Sequence, residues 1–316
     1  MRLVAFTSTL ADGPPGRCLG IEKADGILDL TDLLGADLGA VLAGADPVAV
    51  LTDAESEAAY EGQALVPMGE VRLLAPLARP GKIVCVGLNY HDHCREQNVE
   101  PPAYPTLFAK FASAISHPGD PIVRPRATEM LDLEAELAVV IGWRASRVSV
   151  ARAMDHVFGY TILNDVTARD LQREDRQWLR AKSWDGFAPL GPAVVTRDEI
   201  GEPADLAIRS RVNGESWQDS TTADMIWDIA TLLSFITRSV TLEPGDIVAT
   251  GTPAGVGHFH QPPRYLAAGD VMACEIAGIG VLENSIVDEQ PRAEDHVTAA
   301  GMADLAPEPA TATPGD

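Results

Sequence analysis

In LDLEAELAVVIG, residues 131–142, three acids alternate with apolar residues: Asp132, Glu134 and Glu136 against Leu131, Leu133, Ala135 and Leu137. A period of two is the period of a β-strand, so the run predicts a strand with its acids on one face, roughly 6–7 Å apart. Strand interiors disfavour acids, and three on one face repel one another unless something positive sits among them. A hard, oxygen-preferring divalent ion such as Mg²⁺, Mn²⁺ or Ca²⁺ resolves that repulsion. Taken alone, the run is explained more simply as an edge strand with a solvated acidic face.

The rest of the chain supplies partners for such a strand. Short β-type runs dominate from Lys82 onward, and the two flanking Asn213-Gly214 predict a hairpin, because an Asn-Gly turn matches the twist of paired antiparallel strands. Helices are fewer, the clearest being MIWDIATLLSFITRS, residues 225–239. There is no regular strand-helix alternation and no internal repeat, which argues against a doubly wound sheet, a TIM barrel or a solenoid. The expected fold is β-rich α+β with a sheet-packed catalytic domain.

Three segments are expected. Residues 1–77 read as a small N-terminal α+β domain: strand MRLVAF, a hairpin around GRCLGIEKADGILDL, one or two short helices through DAESEAAYEG, and strand EVRLLAPL. Pro80-Gly81 marks the junction, and 78–288 forms the catalytic, metal-binding domain. Residues 289–316 are an Ala-, Pro- and Thr-rich acidic tail with few large apolar residues, expected to be disordered.

Charge narrows the partners. Acids outnumber bases 46 to 24, a formal net charge of −22, which repels a phosphate backbone and argues against nucleic acid. No run approaches the roughly 20 apolar residues of a membrane span. The opening MRLVAFTSTLADG turns polar too early for a secretory signal, so a soluble cytoplasmic protein is expected. Cys18, Cys85, Cys94 and Cys274 lack metal-type spacing and read as reduced thiols. Only Lys23, Lys82, Lys110 and Lys182 are lysine among the 24 bases, so each marks either a site wanting a compact ammonium or chance retention.

Four further stretches carry candidate chemistry. Asp165 ends the strand-like VFGYTILND, placed either to add a third ligand to a neighbouring pair or to cap the helix begun by VTARDLQ. In GLNYHDHCREQN, His93 and Glu96 stand at i, i+3 of a predicted helix, where a carboxylate can orient an imidazole for general-base work; a surface pair is the plainer reading. His91 and His93 suggest zinc, but no third ligand completes a set. DIVATGTPAGVG is a Gly-rich turn whose free N–H groups suit an anion, more a carboxylate than a nucleotide. Lys182, in RAKSWDGFAPLGP, is either an exposed loop lysine or a partner for a substrate carboxylate or oxyanion.

In chain order, GLNYHDHCRE, PTLFAKFASA, LDLEAELAVVIG, GYTILNDVTARDLQ, AKSWDGFAPLGP, VNGE and GDIVATGTPAGVG resemble the fumarylacetoacetate hydrolase family from about Lys82 to Val287. The resemblance implies a mixed β-sandwich roll, a homodimer, and a divalent cation, commonly Mg²⁺ or Mn²⁺ and Ca²⁺ in some members, held by Glu134, Glu136 and Asp165. It implies a His93–Glu96 dyad on a mobile lid, as in members that cleave C–C bonds or decarboxylate, with Lys182 also catalytic. Asn89, Tyr90, Lys110, Gln172, Gly251 and Thr252 fall at family motif positions implied to bind substrate. His91, His258 and His260 lie where members differ and are expected at the pocket mouth.

The implied function is metal-dependent hydrolysis or lysis of a C–C bond in a small 2-oxo or 1,3-diketo acid of acylpyruvate, fumarylpyruvate or oxaloacetate type, through a metal-stabilised enolate. One alternative keeps the site but isomerises a hydroxymuconate-like or oxo acid. Another is a non-catalytic binding protein. The expected partner is a small carboxylate, with neither nucleic acid nor membrane.

Overall fold

The computed structural model describes residues 1–8, 16–201 and 203–291, so all but the first three residues of the expected tail lie outside the described residues. Its centre is an 11-stranded mixed sheet whose main path runs Gly26–Asp29, Cys18–Lys23, Arg2–Ser8, Ala188–Thr196, Val157–Asn164, Ala135–Ile141, Ile247–Ala249, Ile83–Gly87, Thr106–Lys110. A five-stranded sheet, Glu215–Thr221, Ala207–Val212, Val271–Ile276, Gly280–Asp288 and Ile122–Arg124, accompanies it. The expected β-rich architecture with few helices is what the chain adopts. The N-terminal segment joins the large sheet directly, Arg2 and Leu3 pairing with Val195 and Val194.

Residues of the central strand alternate between two cores, as the strand period requires. Ala138 and Val140 pack with Leu3, Leu19, Leu38 and Leu51, whereas Leu137, Val139 and Ile141 pack with Leu232, Leu233, Ile236 and Ile276. The first core is closed by the helix Pro47–Tyr60, which buries Pro47, Leu51, Ala54 and Ala58 at 3–4-residue spacing. Its start is local chemistry: Asp46 accepts the Ala49 N–H at 3.1 Å and Pro47 opens the first turn. Burying a leucine such as Leu51 contributes about 2 kcal/mol. The second core is closed by the helix Ile229–Ile236, shorter than the 225–239 expected because Asp228 caps it through the Thr231 N–H at 2.8 Å. No helix among the described residues is long and apolar enough to cross a membrane. All four cysteines are free thiols.

The acidic strand departs from expectation in two ways. It is an interior strand, paired with Val157–Asn164 on one side and Ile247–Ala249 on the other, and Asp132, Glu134 and Glu136 are all buried. It is also interrupted. Leu131–Asp132 pairs with Thr167–Ala168, and the ladder resumes only at Ala135, because side chains intercept the intervening amides. Asn164 Oδ1 accepts the Glu134 N–H at 3.1 Å and Gln218 Oε1 accepts the Ala135 N–H at 3.0 Å. Asp132 points elsewhere, its carboxylate taken by the Gly257 and His258 N–H groups and by Arg169 Nε.

Candidate active site

Register brings the three predicted metal ligands together. Ala135 pairs with Asn164 in the antiparallel ladder, so Glu134 and Asp165, one step beyond each, are neighbours, and the Asp165 N–H donates to the Glu134 carbonyl at 2.9 Å. Glu134, Glu136 and Asp165 offer oxygens that all lie within 4.8 Å of one another, and all three are buried. Asp165 caps no helix: the next one is Arg169–Glu174, preceded by Ala168.

Three cations face these acids. Lys182 Nζ lies 2.9 Å from Glu134 Oε2 and 2.7 Å from Asp165 Oδ2; far from being an exposed loop lysine, it is fully buried against the Phe108 ring. Lys110 Nζ lies 2.6 Å from Asp165 Oδ1 and donates to the Val166 carbonyl at 3.2 Å. Arg169 spans two acids, Nη1 lying 2.7 Å from Glu134 Oε1 and Nε 2.9 Å from Asp132 Oδ2. Among the described residues Glu136 has no ion-pair partner and accepts only the Gly251 N–H, at 2.9 Å.

The electrostatic consequence splits the pair. Burial opposes ionisation of Glu134, but Lys182 and Arg169 outweigh it and hold its carboxyl at about 2. Burial, then Asp165 and Glu134, push Glu136 well above the usual carboxylate range. For the lysines, burial drives Lys110 below the ordinary value despite Asp165. Asp165 and Glu134 overcome burial and raise Lys182.

Three buried carboxylates, one of them without a counter-charge, fit a hard divalent cation. Because burial and the neighbouring acids favour the protonated form of Glu136, Mn²⁺ affinity is expected to rise with pH, with protons released on binding. Calorimetry in buffers of differing protonation enthalpy measures those protons; uptake instead of release contradicts this assignment.

The dyad is formed. Glu96 Oε1 lies 2.5 Å from His93 Nδ1, and its other oxygen accepts the Gly255 N–H at 2.8 Å, fixing the carboxylate at both ends. Far from being a surface pair, His93 is buried and meets the Phe259 ring edge-on, centroids 5.9 Å apart. A cavity of about 270 Å³ gathers His93, Glu134, Glu136, Gln172, Lys182 and Thr252. It adds Arg169, Arg173 and Trp178, which sequence reasoning did not single out, and His258, expected at the mouth.

Other expected site residues serve the scaffold. Asn89 does not line the cavity: its amide donates to the Thr250 and Trp227 carbonyls at 2.8 and 3.2 Å and accepts the Trp227 N–H at 2.9 Å. Tyr90 is buried in the second core, its hydroxyl without a hydrogen-bond partner among the described residues. Lys110 lies behind Asp165, outside the cavity lining. Thr252 donates to the Ala135 carbonyl and accepts from Gln218 Nε2, so its hydroxyl ties the turn to the metal-ligand strand. His91 is exposed, and His260 packs on Trp217 with Nε2 3.0 Å from the Gly255 carbonyl.

The Gly-rich turn does bind carboxylates, but the protein's own. Gly251 N–H serves Glu136, Ala254 N–H Asp92, Gly255 N–H Glu96, and the Gly257 and His258 N–H groups Asp132. Gly251 is required there, with φ +100° and an added Cβ 2.9 Å from Asn89 Cβ. Arg169 and Gln218 were missed. Arg169 was visible only as an ordinary helix-start residue in DVTARDLQ, and nothing local marks Gln218 as the bridge between strand and turn.

Comparison with known proteins places the chain in a family. Residues 82–287 match the family model for the fumarylacetoacetate (FAA) hydrolase C-terminal domain. The chain is 44% identical over 297 residues to a Bos taurus protein named oxaloacetate tautomerase FAHD2A, mitochondrial, covering 91% of this chain and 92% of that one. Among solved structures it resembles a fumarylacetoacetate hydrolase from Exiguobacterium antarcticum, 40% identical with TM-score 0.75, over 90% of this chain and all of the other. It also resembles a maleylpyruvate hydrolase from Sphingobium sp. SYK-6 in complex with manganese(II) and pyruvate, 32% identical with TM-score 0.76, over 92% of this chain and all of the other.

Proposed function

Because this chain belongs to the fumarylacetoacetate hydrolase family, whose members among its relatives are named as enzymes, we propose that it interconverts the keto and enol forms of a small 2-oxo acid of oxaloacetate type by proton transfer through the enolate, as a keto–enol tautomerase. The observation that carries this reading is one small cavity lined by Glu134, Glu136, Lys182 and His93, with buried Asp165 converging on the two glutamates and pairing with the lysine, and Glu96 orienting the imidazole.

Glu134, Glu136 and Asp165 are the residues to hold a divalent cation, Mg²⁺ or Mn²⁺ in the first place and Ca²⁺ as a further option. When bound, that ion supplies Lewis-acid stabilisation of negative charge developing on substrate oxygens. His93, its Nδ1 engaged by Glu96, takes the proton from the carbon beside the carbonyl and delivers it to the enolate oxygen, or carries it the opposite way from enol to keto. Lys182 and Arg169 hold the carboxylate or oxyanion end, and Gln172, its amide oxygen 3.2 Å from Arg169 Nη1, orients the carbonyl. Phe108, Trp178 and Phe259 wall the cavity against water.

The dyad supports a second reading. An imidazole steered by a half-buried carboxylate is equally equipped to deprotonate water, as C–C bond hydrolysis requires, and the same metal-binding carboxylates serve decarboxylation. Product mass separates the readings: tautomerisation leaves it unchanged, while cleavage yields two fragments or CO₂. Assembly as a homodimer belongs to the proposal, supported by an exposed apolar groove lined by Phe111, Val123, Leu179 and Trp184.

Purified protein incubated with oxaloacetate and followed by NMR and mass spectrometry is expected to accelerate enol–keto exchange. EDTA should abolish the acceleration and Mn²⁺ restore it. His93→Gln should slow it about 10²–10⁴-fold, the usual worth of a positioned general base. Turnover indifferent to chelation removes the proposal.

A further inference from the structure

Building on the enolate reading above, we propose that His258 and Arg173 form the subsite that takes the far carboxylate of an acid of oxaloacetate type and so set the preference for it over a 2-oxo acid that lacks this group.

A chain of contacts leads from the metal-ligand carboxylates to this subsite. Glu134 binds Arg169, Arg169 binds Asp132, and Asp132 Oδ2 accepts the His258 N–H at 3.0 Å. His258 is thus tied to the site while standing two residues removed from its carboxylates. Its ring is held at one nitrogen only, Nδ1 lying 2.9 Å from the Tyr265 hydroxyl. Nε2 has no hydrogen-bond partner among the described residues, and the residue lines the cavity.

Arg173 faces the same space. It stands at i, i+4 from Arg169 on the helix Arg169–Glu174, so both guanidiniums share one helix face. Lys182 and Arg169 sit on Glu134, Asp165 and Asp132, where the reading above places the carboxylate or oxyanion at the reacting end, so the far end needs another cation. Arg173 lines the cavity yet enters no ion pair among the described residues; its one hydrogen-bond partner is the weak acceptor Met130 Sδ at 3.2 Å. In a chain with 46 acids against 24 bases, a guanidinium left without a carboxylate at a cavity wall is free to take one from the substrate. Burial, then the Arg169 charge, with Arg173 adding to it against Asp132, depresses the His258 pKa, which favours the ring as a neutral hydrogen-bonding group beside the cation. A substrate lacking the second carboxylate leaves both groups unmatched, and discrimination follows from that.

The test compares oxaloacetate with 2-oxobutanoate, which replaces the far carboxylate by a methyl group, on the Mn²⁺-loaded protein. The ratio of their kcat/KM values is expected to favour oxaloacetate and to fall about tenfold in Arg173→Gln and in His258→Phe, the scale of one charge-assisted hydrogen bond. Arg173→Lys should recover part of it. A lesion that merely loosens the fold lowers both substrates alike, so a ratio unchanged in both variants overturns the subsite. If neither acid is turned over by the unmutated protein, the enolate reading fails separately. The subsite is then judged by calorimetric binding of the same two acids, where the same ratio must move or the proposal falls.

Discussion

Asp165→Asn is expected to abolish tight Mn²⁺ binding and to cut turnover by about three orders of magnitude or more, the scale on which a Lewis acid contributes to such chemistry. Asparagine has the size of aspartate, so the cavity keeps its shape and the change is one of charge. Asp165 sits between Lys110 and Lys182, at 2.6 and 2.7 Å. Neutralising it removes one of the three carboxylates and leaves two buried ammonium groups facing the place where a dication would have to enter. Both effects act against the cation. Mn²⁺ titration by electron paramagnetic resonance, paired with a turnover assay, reads the outcome. An asparagine variant binding Mn²⁺ within about threefold of the unmutated protein, well under 1 kcal/mol, would show that Asp165 is no ligand.

Lys182→Met is expected to lower both stability and activity. The ammonium is shared by Glu134 and Asp165 in a fully buried position, and methionine keeps the apolar stem while deleting the charge. Breaking a buried pair from one side costs about 3–5 kcal/mol, since the stranded charges stay behind, and for a chain of this size that is on the order of 10 °C in melting temperature. Added Mn²⁺ should return part of the loss, because a dication bound by the native state alone stabilises it and replaces the missing positive charge. Turnover should fall about 10²–10³-fold even with the metal present, as for removal of a donor to developing negative charge. A metal-free variant melting within about 2 °C of its parent would mean that Lys182 contributes under 1 kcal/mol and that the buried pair is weaker than its geometry implies.

Much of this site could be read before the fold was seen, for a reason that differs residue by residue. Glu134 and Glu136 share a face through strand period alone, and His93 and Glu96 meet through helix period alone. Lys110 and Lys182 stood out as rare lysines, yet what they do depends on Asp165, which lies 55 and 17 residues away along the chain. Motif membership says nothing of direction: Asn89 and Tyr90, expected to bind substrate, lie outside the cavity lining, Asn89 with its amide on the backbone of Thr250 and Trp227 and Tyr90 in the second core. Asp132 misled for a similar reason. Its alternation was real, but the Gly257 and His258 amides and the Arg169 guanidinium drew it away from the other two acids.

The amino-acid sequence on its own determined the β-rich character, the Asn213-Gly214 hairpin, the face shared by Glu134 and Glu136 and the meeting of His93 with Glu96, since each depends on the spacing of residues within a few positions of one another; Asp165 was assigned as a ligand only by the family resemblance. Only the tertiary structure decided that the Ala135–Asn164 register sets Asp165 beside Glu134, that the glycine-rich turn spends its amides on the protein's own carboxylates, and that Arg169 and Gln218 belong to the site. Those contacts join segments tens of residues apart, and the partner of a buried polar group is chosen by whichever donor or acceptor the folded sheets bring within reach.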